Sequence, residues 1–162
     1  MKRILVLLLG MVLLLALAGC SGVTRQEALR IYVEGDMPRL SELESRFMES
    51  YVSVSGENYT DDKAMHKEFT ETTLVLAKQL HDAAKEVSQT ISDKELLKVH
   101  QLYVESALHY VDGVTAVIAA LEKQDSSQIT TANEKISTAN SLGTEFQSKI
   151  RALAEEHGVA LE

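Results

Sequence analysis

The sequence predicts an all-α protein, an antiparallel up-down-up-down four-helix bundle that follows a cleaved signal segment. Three observations carry this. Apolar residues recur at steps of three and four along four long segments. No stretch alternates apolar and polar residues with the period of two that a strand needs. Only three short polar connections separate the segments, and short connections make consecutive helices antiparallel neighbours.

Thr24 and Glu27 form a Thr-x-x-Glu capping box that opens the first segment. Pro38, the chain's single proline, follows Gly35-Asp36-Met37 and predicts a kink or short break. Leu40, Leu43, Phe47 and Tyr51 carry the apolar stripe onward. Ser53 to Asp62, dense in turn formers, is a loop. Asp61 or Asp62 caps the second segment, which runs to about Thr90 with Met65, Phe69, Thr72, Leu76, Leu80, Ala83 and Val87 on one face. Leu74 and Val75 fall off that face and point to a second apolar contact, with a partner or another copy.

Ser92-Asp93-Lys94-Glu95 is a second capping box. The third segment it opens has the cleanest stripe: Leu96, Tyr103, Ala107, Tyr110, Val114, Val117 and Leu121. A turn at Lys123 to Ser127 leads to the fourth, with Asp125 or a following serine as cap. Its stripe is Ile129, Ala132, Ile136, Ala139, Gly143, Phe146, Ile150 and Leu153, where the small residues allow a neighbouring backbone to approach. Gly158 is placed to terminate this helix. At 1.5 Å per residue, helices of roughly 30 residues are about 45 Å long.

The leader is the most specific part of the chain. Lys2 and Arg3 precede an apolar run from Ile4 to Leu17, about fourteen residues, short of the roughly 20 needed to span hydrocarbon. A basic head, a short apolar run and small residues before a cut point are the parts of a secretory signal. Leu17-Ala18-Gly19-Cys20 in this position resembles the lipobox of bacterial lipoproteins. The resemblance implies signal-peptidase recognition through Leu17, Ala18 and Gly19, a diacylglyceryl group on the Cys20 thiol and cleavage between Gly19 and Cys20. Residues 1–19 are then signal peptide, 20–23 the lipidated cysteine with a short tether, and 24–162 the bundle domain. Two acyl chains hold a protein stably on a membrane where one does not. The expected location is the extracytoplasmic face of the cell membrane, with membrane lipid as the first partner through acylated Cys20.

Composition excludes several classes. The chain carries 16 basic and 24 acidic residues; without Lys2 and Arg3 the balance is 14 against 24, a net of about −10. An acidic body of this kind repels nucleic acid and anionic headgroups. Cys20 is the only cysteine, so no disulfide framework or cysteine metal site is available once it is acylated. The mature part, about 143 residues, is one domain stabilised by packing.

Glu105, His109 and Asp112 are spaced to share one helix face, as metal ligands would be. On a wheel of about 100° per residue they lie roughly opposite the apolar arc of the third helix, on a solvated face. His100 lies in the middle of that arc. A buried imidazole needs a hydrogen bond, and burial lowers its pKa; tyrosine hydroxyls or glutamine side chains of facing helices are the natural partners. Glu-x-x-His pairs, nucleophile elbows, phosphate loops and zinc-protease motifs are absent from the sequence. Asn133, Asn140 and Gln147 follow one flank of the fourth helix and would line a polar groove.

The lipobox, the helical stripes and the closing Ala154-x-x-His157-Gly158 stretch resemble small helical lipoproteins of Gram-positive bacteria that have no assigned activity. The resemblance implies an architecture and transfers no active site. The expected function is a non-catalytic, membrane-anchored interaction module that docks another envelope protein, with no cofactor. The alternative is a small-molecule or metal binder using the bundle interior, with His100, Tyr103 and Tyr110 as its polar contacts.

Overall fold

The computed structural model describes residues 23–161. The signal segment and the lipobox residues Leu17, Ala18, Gly19 and Cys20 lie outside them.

The described chain is an all-α bundle of four arms. The first arm begins where the Thr24 hydroxyl accepts from the Glu27 amide at 3.2 Å. The Glu27 carboxylate does not turn back to close the box but takes the Arg30 guanidinium at 2.8 Å. Helix α1 (Arg25–Ile31) passes into a π-helical turn, Tyr32–Asp36, and then into α2 (Met37–Ser53). The break expected at Gly35–Pro38 is therefore not a break. The Met37 amide bonds the carbonyl of Tyr32, five residues back. This wider turn places Pro38 in the first turn of α2, where its missing N–H leaves no bond unmade.

Val54 to Asp61 form the loop, closed by Asn58 Nδ2 donating to the Val52 carbonyl at 3.0 Å. Asp61 caps α3 (Asp62–Glu68), accepting from the Ala64 amide at 2.9 Å. A second π turn, Phe69–Thr73, precedes α4 (Leu74–Thr90). The extra residue in that turn displaces the stripe at one position only, and Leu76, Leu80, Ala83 and Val87 are buried as expected. Thr73, not the expected Thr72, is fully buried. Leu74 packs against the core and Val75 is exposed.

Asp93, rather than Ser92, caps α5 (Lys94–Lys123), accepting from the Glu95 and Leu96 amides at 3.0 and 2.9 Å. Val99 and Ala120 join its buried face, while Leu121 is half-buried. Helix α5 is the one described helix long and apolar enough to cross a membrane. Its composition is that of a core helix, since it packs against both α4 and α6. Gln124 adopts a left-handed backbone with φ 52°, and Asp125 caps α6 (Ser126–Glu156). Gly158 ends it at φ 65°, with the Val159 amide reaching the Ala154 carbonyl at 2.9 Å.

Side-chain contacts fix the topology. Arg25 Nε donates to Asp93 at 2.9 Å and Gln26 Nε2 to the His157 carbonyl at 3.0 Å, so α1 starts beside the start of α5 and the end of α6. His66 meets Glu122 at 3.3 Å at the opposite end. Helices α5 and α6 pack closest. A Cβ on Gly113 would lie 2.5 Å from Ile136 Cδ1, and Ser106 Oγ donates to the Ala139 carbonyl at 2.8 Å. The buried apolar core of the described residues runs from Leu29 to Ala154.

Candidate functional site

His100 sits at the centre of the bundle, fully buried. Its Nε2 lies 2.8 Å from the Ala84 carbonyl and its Nδ1 2.8 Å from the Tyr32 hydroxyl. A carbonyl only accepts, so Nε2 carries the proton and Nδ1 accepts from Tyr32. Burial holds the imidazole below its ordinary pKa, against the Ala84 bond and the Asp36 charge, which act the other way. The same desolvation pushes the Tyr32 phenol well above the usual range. The π turn is what lets Tyr32 face inward here.

Tyr103, one turn along α5, stacks on His100 with ring centroids 6.2 Å apart. Its hydroxyl donates to the Glu44 carboxylate at 2.9 Å. Burial raises the Glu44 carboxyl above its ordinary value, with the Tyr103 bond opposing, and burial raises the Tyr103 phenol too. Tyr110 donates to Asn140 Oδ1 at 2.7 Å, and burial pushes its phenol up to about 12. The three residues expected to meet a ligand therefore lie together on one face of α5 and hydrogen-bond to the other three arms. His100 keeps no lone pair for a ligand. What this ladder does chemically is fix the register of the arms, because a buried polar atom left without its partner costs about 1–3 kcal/mol.

Sequence reasoning missed a second buried cluster, where Ser50 Oγ donates to Glu68 at 2.7 Å and contacts Thr73 Oγ1 at 2.6 Å. Its position depends on the second π turn, which leaves no mark in the hydrophobic period. Of the expected trio Glu105, His109 and Asp112, Glu105 is exposed, His109 is half-buried with its Nδ1 unpartnered among the described residues, and Asp112 pairs with Lys135 at 3.4 Å. Asn133, Asn140 and Gln147 separate: Asn140 serves Tyr110, while Gln147 faces a surface trough.

That trough, about 970 Å³, lies between the first arm and α6. These two arms approach each other only in isolated places, whereas the other neighbouring pairs pack closely. Val33, Met37 and Pro38 form one wall, Gln147 and Ile150 the other, and the segment Gly158 to Leu161 closes one end. Arg30 on its rim is held by Glu27. Glu34 and Arg151 also line it, from opposite walls, and neither has an ion-pair partner within 4.0 Å among the described residues. Gln26 belongs to the lining as well and donates to the His157 carbonyl, so the closed end of the trough lies at the end of the bundle where α1 begins. No residue pattern announced it, since its walls come from positions more than a hundred residues apart. Comparison with family models, with characterised proteins and with solved structures finds no match for this chain.

Proposed function

We infer that this chain is a lipid-anchored extracytoplasmic protein whose helical domain acts as a non-catalytic binding module, docking another envelope protein. The leader supports the anchor: Leu17-Ala18-Gly19-Cys20 stands directly after a short apolar run, and only Ser21 to Val23 separate Cys20 from the Thr24 cap. A tether of that length keeps the domain against the membrane surface. The observation that carries the binding reading is the division of polar groups. His100, Tyr103 and Tyr110 use their polar atoms on partners within the bundle, while several apolar side chains stay exposed on its surface. The bond between His100 and the Ala84 carbonyl sets the antiparallel register of α4 and α5. That register brings Val75 and Leu108 to about the same level along the bundle, and both are exposed. Exposed apolar side chains on an acidic surface suit protein recognition.

Labelling of growing cells with a palmitate analogue tests the anchor. Label is expected on the wild-type protein and lost in Cys20→Ser, which should also leave the membrane fraction. A photo-crosslinking residue at Leu108 should give one discrete protein adduct in intact cells, with none from the same residue at Gln101. Equal adduct patterns from both positions would remove the docking claim.

A further inference from the structure

The trough between the first arm and α6 has a charge arrangement that the docking reading does not use. Its lining is apolar in part, with Ile150 buried and Val33, Met37 and Leu161 half-buried. Glu34 and Arg151 stand on opposite walls with no ion pair within 4.0 Å among the described residues, both are exposed, and the Glu34 charge also reaches Arg30 one turn back. Two opposite charges that share one trough, yet stay too far apart to pair, are complementary to a ligand carrying both signs with a spacer between them. Arg151 presents a planar fork suited to a phosphate. Glu34 presents a carboxylate suited to an ammonium group. The apolar part of the lining calls for a hydrocarbon chain attached to that head. The volume lies within the range of about 300–1,000 Å³ typical of small-molecule sites.

We propose that the trough binds a single zwitterionic phospholipid of the phosphoethanolamine type, its phosphate on Arg151, its ammonium on Glu34 and its chain along Val33, Met37, Ile150 and Leu161. The position at the tether end gives such a lipid a source in the membrane. The acidic body, which repels anionic lipids, places no charge penalty on a head with no net charge. The lipid's source rests on the anchor reading; the binding itself does not.

The test uses residues 21–162, which contain every buried core residue described, first checked for cooperative unfolding, and lauroyl-lysophosphatidylethanolamine below its micelle threshold, followed by titration calorimetry. Saturable one-to-one binding is expected. Glu34→Lys and Arg151→Glu should each weaken it about tenfold, a change of about 1.4 kcal/mol, without altering the unliganded melting temperature by more than a few degrees. Lysophosphatidylglycerol of the same chain length should bind at least about tenfold more weakly, and free phosphoethanolamine should not bind measurably. Non-saturable uptake, equal affinity for the anionic lysolipid, or indifference to both substitutions would overturn the proposal. Palmitate labelling of Cys20 is an independent measurement, so a failed trough and a failed anchor are told apart.

Discussion

The Tyr32 hydroxyl donates to Nδ1 of His100 across 68 residues of chain, at 2.8 Å, in the driest part of the bundle. The bond exists because a π turn rotates Tyr32 inward and because the Ala84 carbonyl fixes the imidazole tautomer from the other side. Tyr32→Phe keeps the ring packing and removes only the hydroxyl. It should cost about 1–2 kcal/mol in urea unfolding, the penalty of a buried nitrogen without a donor. His100→Ala loses both bonds and leaves a cavity as well, so it should cost more, about 2–4 kcal/mol.

The same histidine sets a pH dependence. Its folded pKa is lowered, so below the ordinary value of about 6.5 the unfolded chain binds a proton that the folded chain refuses. Stability contributed by neutral His100 is present above that pH and is lost as the pH falls from about 6.5 towards the folded pKa. Melting temperatures between pH 7.5 and 5 should therefore fall more steeply for the wild type than for His100→Phe. Parallel curves would contradict the assignment.

Glu44 acts in the opposite sense. Its folded pKa is raised by burial, so its contribution is greatest below about 4.5 and declines as the pH rises through the folded value. Glu44→Gln keeps an acceptor for Tyr103 and removes the desolvated charge. The variant should melt higher than the wild type at pH 7 and no higher at pH 4.

Capping separates two neighbouring residues. Asp93 accepts two amides of α5 and holds Arg25 at 2.9 Å, so Asp93→Ala should cost about 1–2 kcal/mol. Ser92→Ala, one position earlier, should change stability by less than about 0.5 kcal/mol. Thermal or urea unfolding of the two variants side by side distinguishes them.

Gly113 is where α5 and α6 approach most closely. An added methyl group meets Ile136 Cδ1 at 2.5 Å and Cγ1 at 2.8 Å. Gly113→Ala should destabilise by about 1 kcal/mol or more, because overpacking outweighs the helix-propensity gain. In an Ile136→Ala background the clash is gone, and the same change should become stabilising.

Much of this architecture was legible in the chain. Thr24, Asp61 and Asp125 cap where their spacing to the following amides predicts, and Gly158 ends α6. The wheel placed His100 in the core because one polar residue in an apolar arc of a long, regular helix has nowhere else to point. Ala132 and Ala139 predicted a close neighbour, although Gly113 and Ser106, which supply the other side, gave no periodic signal. The π turns were hidden because each inserts one residue without changing the local composition. Pro38 marked the first only as a kink or short break, and Thr72 took the place of Thr73 for the same reason. The trough was illegible because Glu34 and Arg151 meet it through tertiary packing between the first and last arms. No spacing within either helix encodes that approach.

The proposed lipid anchor is tested best by the intact mass of the protein extracted from membranes. A chain that begins at Cys20 and carries the added mass of a diacylglyceryl group is expected, with a third acyl chain where the new amino group is modified. A mass equal to the unmodified full chain, or to a chain cut elsewhere and free of lipid, would contradict it.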